Sequence, residues 1–188
     1  MLSINILWSC YKPYFTTQFI LYIIAVVQQD EAFLNIRGEI MRLTSRYEEA
    51  ISFYTAALEI NARYTLAFIN RGVCYAALGR LDEAVGDWEY ASKIDAANID
   101  AHLNLGLACR EKGDFSSSAL HFGIIHQQLQ GSNPDLMFQY GVSLQLTGRL
   151  RDAELIYINL LKADPGSDRA KMNLAATYQV LQHALLSL

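Results

Sequence analysis

Small residues recur along this chain at a fixed interval. Glycines stand at positions 38, 72, 106 and 141, and Ala175 follows, so the spacing is 34 or 35 residues throughout. Twelve residues beyond each glycine comes a second small residue, and four residues later an aromatic one. These residues are Ala50, Ala84, Ser118 and Ala153, followed by Tyr54, Trp88, Phe122 and Tyr157. This register constrains the fold most, because each period must form the same local structure and pack against its neighbours.

Each period contains two predicted helices. Apolar residues between these recurrent positions fall at helical spacings. The turn between the two helices is predicted at Gly79, Gly113 and Gly148, with Ser45 in the equivalent place of the first repeat. The first helix carries the recurrent glycine and the second carries the small residue. Small residues let two helix backbones approach closely, and the aromatic four residues later is expected to cover the seam between them.

The pattern resembles the tetratricopeptide repeat, a helix pair of 34 residues with small residues at positions 8 and 20 and an aromatic at 24. In this register the repeats are 31–64, 65–98, 99–132 and 134–167, with Asn133 inserted and 168–188 as a C-terminal capping helix. The proline near position 32 is kept only at Pro165. The resemblance implies an all-α solenoid of antiparallel helix pairs, a right-handed superhelix of about four and a half repeats preceded by an N-terminal apolar helix.

Composition and chemistry narrow the function. A formal net charge of −4 opposes nucleic-acid binding, and a 52% hydrophobic content suffices for a core. The three cysteines have no metal-ligand spacing, and the four histidines form no HExxH pair. Cys74 and Cys109 are predicted to be core thiols, as expected in a reducing compartment. We therefore expect no catalysis, no metal and no cofactor.

In the tetratricopeptide family, certain positions of each first helix face a concave groove that holds a peptide or a partner helix. The sixth position carries Asn70, Asn104, Gln139 and Asn173, preceded by Ile36. A carboxamide can donate and accept, so this row could pair with successive peptide groups of an extended ligand. It resembles the row lining the superhelix of O-linked N-acetylglucosamine transferases. Alternatively, the residues are there because asparagine is common at this position of the repeat.

Beside this row the fifth and ninth positions predict an apolar stripe, formed by Ile69, Val73, Leu103, Leu107, Phe138 and Val142. Contiguous exposed apolar surface usually marks an interface. The alternative is that a terminal helix of the chain folds back and fills the groove. A carboxylate clamp of the chaperone-binding kind is not expected, because Asn35, Asp100 and Asp135 stand at groove positions where that clamp needs lysine. Glu39 stands where it needs asparagine and would repel an anionic ligand.

The two ends leave alternatives open. Residues 1–30 form an apolar segment whose stretch 14–27 is short for a membrane span. It could be a packed cap helix, a signal peptide or anchor, or an interfacial helix. At the C-terminus, Leu181, Leu185, Leu186 and Leu188 make an apolar end that could bind a second subunit.

The sequence predicts a cytoplasmic scaffold or adaptor that binds a protein or peptide in its concave groove. One alternative is a targeting or regulatory portion of a larger enzyme assembly, for example of the glycosyltransferase type. The other is a membrane-tethered organiser, membrane-anchored or lumenal, which depends wholly on residues 1–29.

Overall fold

The computed structural model describes residues 30–186, and residues 1–29 and 187–188 lie outside the described part. Nine α-helices and no β-strand occur within it, which confirms the all-α prediction. The helices are α1 (Glu31–Leu43), α2 (Tyr47–Ile60), α3 (Thr65–Ala77), α4 (Leu81–Ile94), α5 (Ile99–Glu111), α6 (Phe115–Gln128), α7 (Pro134–Leu146), α8 (Leu150–Ala163) and α9 (Asp168–Leu186). Odd-numbered helices are the first helices of the predicted repeats, and even-numbered helices are the second.

Polar side chains cap several helix N-termini. The Asp30 carboxylate accepts a hydrogen bond from the Ala32 amide at 2.7 Å, and Asn98 caps α5 through the Ala101 amide at 3.0 Å. Asn133, the inserted residue, caps α7 through the Leu136 amide at 3.1 Å, and Pro134 opens the helix. These caps satisfy amide groups that have no partner inside the helix, so they fix where these three helices begin.

The turns within the repeats lie where the sequence predicted them. Gly79, Gly113 and Gly148 have φ angles of 75°, 79° and 77°, and Ser45 has a φ of 61° in the equivalent turn. This left-handed conformation is easily adopted by glycine and strained for a residue with a Cβ. The four turns therefore share one backbone shape, although only three carry glycine.

The chain divides into two compact units, one ending at Arg80 and one beginning at Leu81. In the first unit, α1, α2 and α3 bury one hydrophobic cluster, which includes Leu34, Tyr54 and Cys74. The ring of Tyr54 is fully buried and lies against Gly38, where an added Cβ would be 2.6 Å from Cε1. The aromatic residue therefore covers the seam between α1 and α2, as predicted.

In the second unit, a cluster from α6, α7, α8 and α9 includes Ala119, Leu144 and Leu160. The same glycine contact occurs twice: an added Cβ would be 3.0 Å from the Phe122 ring at Gly106 and 2.7 Å from the Tyr157 ring at Gly141. Within this unit α5 packs on α6 and α7 packs on α8.

The predicted roles of the N-terminal segment fall on residues outside the described part. Asp30 is its only described member, and it caps α1. At the other end, α9 is a single helix that continues to Leu186. Within residues 30–186 no helix is long and apolar enough to cross a membrane.

Candidate peptide-binding surface on the first helices

Three carboxamide residues of the second unit occupy the same position on successive first helices. Asn104 lies on α5, Gln139 on α7 and Asn173 on α9, and each is half-buried. We call these three residues the amide row. They are 35 and 34 residues apart, because the 34-residue repeat contains one inserted residue, Asn133, between the first two.

The members of the amide row differ in their hydrogen bonding. The Gln139 side-chain oxygen accepts a hydrogen bond from the Arg110 guanidinium of α5, so it links two first helices. The side chains of Asn104 and Asn173 make no hydrogen bond to any residue in the range 30–186. Half-buried amides without partners need either water or a ligand to satisfy them.

Arg169 of α9 contacts two residues of α7, the preceding first helix. Its guanidinium donates to the Asp135 carboxylate of α7 at 2.8 Å, and its carbon lies 4.9 Å from the centroid of the Phe138 ring. The ion pair is exposed and contributes little to stability. The guanidinium nevertheless lies over the Phe138 ring, a cation–π contact between α9 and α7.

The predicted apolar stripe is less exposed than a free surface would be. Leu107 is 37% exposed, whereas Leu103, Phe138 and Val142 are half-buried. In the first unit Val73 is half-buried and Ile69 is only 6% exposed. The expectation that Ile69 offers exposed apolar surface is therefore wrong for this residue, because its side chain packs inside the protein.

The predicted amide of the first unit is also engaged. Asn70 of α3 donates a hydrogen bond to the side-chain oxygen of Asn35 on α1 at 3.2 Å, and Asn35 is buried. The side-chain oxygen of Asn70 has no partner among the described residues. Ile36 occupies the sixth position of the first repeat, is 55% exposed and has no carboxamide.

A histidine pair joins the two helices of the third repeat. Nε2 of His102 lies 3.1 Å from the Ala96 carbonyl oxygen, which can only accept, so this nitrogen carries the proton in the neutral ring. Nδ1 of His102 then accepts from Nδ1 of His121 at 3.0 Å. Burial lowers the pKa of His121, and the nearby His102 lowers it further, while Glu89 and Asp114 oppose the shift.

The two cysteines within residues 30–186 do not form a reactive site. Cys74 is buried, and its burial raises the thiol pKa to about 11. Cys109 is half-buried, and burial is again the main cause of its raised pKa. The thiolate is the nucleophile, so both groups are held in their less reactive form. In the described range no group of three or more His, Cys, Asp or Glu side chains could hold a metal ion.

Sequence reasoning missed Arg110, Arg169 and the pairing of His102 with His121. Arg169 comes 34 residues after Asp135 and Arg110 comes 29 residues before Gln139, so both pairs connect neighbouring repeats. A search for oppositely charged residues 34 positions apart would have found Arg169 and Asp135. The histidine pair is 19 residues apart and depends on how the two helices of one repeat face each other.

The fold defines a helical-repeat protein. A sequence profile described as a TPR repeat matches residues 73–113, and one described as a tetratricopeptide repeat matches residues 33–64. The chain therefore contains tetratricopeptide repeats over these residues. Such repeats build protein-interaction scaffolds that bind protein or peptide partners, and the repeat itself is typically non-catalytic.

Relatives in other proteins match only over part of their length. Sperm-associated antigen 1 of Mus musculus is 40% identical over 80 residues, which are 39% of this chain and 9% of that protein. The probable UDP-N-acetylglucosamine–peptide N-acetylglucosaminyltransferase SPINDLY of Hordeum vulgare is 24% identical over 151 residues, 75% of this chain and 16% of that enzyme. The chain thus spans less than a fifth of either relative.

Solved structures agree on the fold. YrrB, a TPR protein whose structure is described as having an unusual peptide-binding site, matches 86% of this chain and 83% of its own, with a TM-score of 0.75 and 21% identity. MamA matches 84% of this chain and 86% of its own, with a TM-score of 0.71 and 17% identity. At these identities the likeness shows the fold alone.

Proposed function

We propose that the chain is a scaffold or adaptor whose second unit binds an extended protein segment along the amide row. The observation that carries this proposal is that Asn104 and Asn173 are half-buried amides without a partner among the described residues. A carboxamide both donates and accepts hydrogen bonds. It can therefore pair with the N–H and C=O groups of an extended ligand, as a neighbouring β-strand would. Such contacts do not depend on the side chains of the ligand.

Gln139 would take part with half of its hydrogen-bonding capacity. Its oxygen is held by Arg110, which leaves the amide NH2 group to donate to a ligand carbonyl. The half-buried apolar residues beside the row, Leu103, Leu107 and Phe138, would contact alternate side chains of the ligand. Asn70 in the first unit offers one side-chain oxygen at the same repeat position.

A photo-crosslinking residue at Leu107 tests the location of binding. Leu155 of α8 is the matched control, because it is an exposed leucine on a second helix. Partners captured from the native cell should form adducts at Leu107 and not at Leu155. Equal capture at both positions would exclude the amide row as the binding surface.

Affinity measurements with a captured partner segment test the amides themselves. The variant Asn104→Ala/Asn173→Ala should bind about 5- to 150-fold more weakly, because two hydrogen bonds are lost at about 0.5–1.5 kcal/mol each. Gln128→Ala, an exposed carboxamide on α6, should bind like the unaltered protein. Unchanged affinity of the double variant, with unchanged helicity by circular dichroism, would remove the amide row from the mechanism.

A second candidate is a regulatory or targeting part of a larger enzyme assembly. The similarity to SPINDLY over 75% of this chain favours it, although the chain spans 16% of that enzyme. In this case the same surface would present a substrate to a catalytic partner. Co-purification of a transferase activity that depends on Asn104 and Asn173 would support this candidate.

Self-association through α9 is a further proposal about partners. Met172, Tyr178, Val180 and Leu186 are all exposed on this helix. Light scattering of the full chain should then show a dimer that Val180→Asp converts to a monomer, and a monomer at all concentrations would exclude it.

A cytoplasmic location and a membrane-tethered alternative can be distinguished by fractionation with a carbonate wash.

A further inference from the structure

The first described helix exposes an apolar face. Ile36, Ile40 and Leu43 stand four and three residues apart on α1, and they are 55%, 51% and 70% exposed. Residues at this spacing lie on one side of a helix. We call these three residues the α1 face.

Later repeats bury the centre of the corresponding face. Ile40 is the tenth residue of its repeat, and the residues in the same position are Cys74, Ala108, Ser143 and Thr177. All four are buried. Ile40 is therefore an exception among equivalent positions, although it is the most hydrophobic side chain of the five.

The second helix of the preceding repeat buries this position where the contact is described. Ser143 of α7 shares a hydrogen bond of 2.9 Å with Ser118 of α6, the second helix of the repeat before it. Cys74 of α3 belongs to one buried cluster with Ala50, Tyr54 and Ala57 of α2. The α1 face lacks such a helix among the described residues.

We propose that residues 13–26 of this chain form a helix that docks on the α1 face. The stretch one repeat length before α2 is 13–26, which contains no charged residue. It would have the 14 residues of α2, α4, α6 and α8, and Thr16 would occupy the small-residue position of Ala50. Residues 27–30 then form a connection as long as 61–64, and Asp30 caps α1 in the required place.

Disulfide trapping in the full chain tests the contact. The pair Thr16→Cys/Ile40→Cys copies the Ser118–Ser143 contact, in a background with Cys10→Ser and Cys109→Ser. Cys74 is wholly buried and can stay. The control pairs Thr16→Cys with Ile60→Cys, because Ile60 of α2 is 50% exposed and lies outside the α1 face.

We expect the Ile40 pair to form an intramolecular disulfide under mild oxidation and the Ile60 pair to remain reduced. A disulfide only between chains would overturn the proposal, because the segment would then dock on a second copy. Equal trapping by both pairs would also overturn it. So would a full-length protein that stays in membranes after a carbonate wash, because the segment would then lie in lipid.

Limited proteolysis supplies a second measurement without cysteines. Ile40→Asp places a charge under the docked helix and should release it, so that chymotrypsin cleaves faster at Phe15, Phe19 and Tyr22. Ile60→Asp should leave the cleavage rate unchanged. Rapid cleavage of the unaltered protein at these sites, equal to that of Ile40→Asp, would contradict docking.

Discussion

The ring of Tyr157 occupies the space that a side chain on Gly141 would need: a Cβ there would lie 2.7 Å from Cε1 and 3.0 Å from Cζ. Tyr157 is fully buried, and its hydroxyl donates to the Gln145 side-chain oxygen at 3.0 Å. The ring is thus held at both ends, so the glycine is required by packing rather than by backbone conformation.

Gly141→Ala should therefore destabilise the protein although alanine favours helices. We expect a loss of about 1–3 kcal/mol, the usual cost of overpacking a well-packed core. Gly86→Ala is the control, because Gly86 lies inside α4 with no atom within 4 Å of an added Cβ. It should gain up to about 1 kcal/mol from helix propensity. Urea unfolding of both variants measures the two effects, and equal changes would contradict the packing argument.

Ser45→Gly should stabilise the first turn. Ser45 has a φ of 61°, which is strained for a residue with a Cβ, whereas the three equivalent turns carry glycine. After allowing for the greater freedom of glycine in the unfolded chain, we expect a gain of about 0.5–1 kcal/mol in unfolding free energy. The reverse change, Gly79→Ala, should lose stability by a similar amount, since its turn has a φ of 75°. Thermal unfolding followed by circular dichroism would detect both changes.

The buried Ser118–Ser143 pair should show strong coupling. Ser143 donates to the Gln139 carbonyl oxygen at 3.0 Å, so Ser118 must donate to Ser143. Ser143→Ala leaves the buried Ser118 hydroxyl without an acceptor and should cost about 1–3 kcal/mol. Adding Ser118→Ala should recover most of this loss, because alanine occupies the equivalent positions Ala50, Ala84 and Ala153. Additive losses in a double-mutant cycle would show that the hydroxyls act independently.

The His102–His121 pair should make stability depend on pH. The pKa of His121 in the folded protein lies below its ordinary value of 6.5, so below pH 6.5 the unfolded chain binds more protons than the folded one. Stability is then unaffected by this group above pH 6.5, and it falls as the pH drops from 6.5 towards the folded pKa.

Urea unfolding at about pH 7.5 and about pH 5.5 measures this effect. His121→Gln should reduce the difference in unfolding free energy between the two pH values. His183→Gln, on the exposed end of α9, should leave the difference unchanged. An unchanged difference in His121→Gln would assign the pH dependence to other groups.

The helical repeat could be predicted because its signals are local. Glycine spacing, helical periodicity and turn residues located the turns at Ser45, Gly79, Gly113 and Gly148, all of which have positive φ. The aromatic cover was also predictable, because Tyr54, Phe122 and Tyr157 follow their glycines by a constant interval.

The candidate site was only partly predictable. The register gave the repeat positions of Asn70, Asn104, Gln139 and Asn173, but it could not show which amides were already engaged. That depends on Asn35 and Arg110, whose side chains reach across to a neighbouring first helix. Ile69 was expected to be exposed, and its burial depends on neighbours that a one-dimensional pattern does not contain.

The sequence by itself determined the repeat, its helices and its turns, because these follow from interactions between residues close in the chain. Only the tertiary structure decided which side chains meet between helices, such as His102 with His121 and Arg169 with Phe138. Among the described residues it also left Ile40 exposed where its equivalents are buried. Burial is set by what packs on a residue, and residues with the same position in a repeat can have different neighbours.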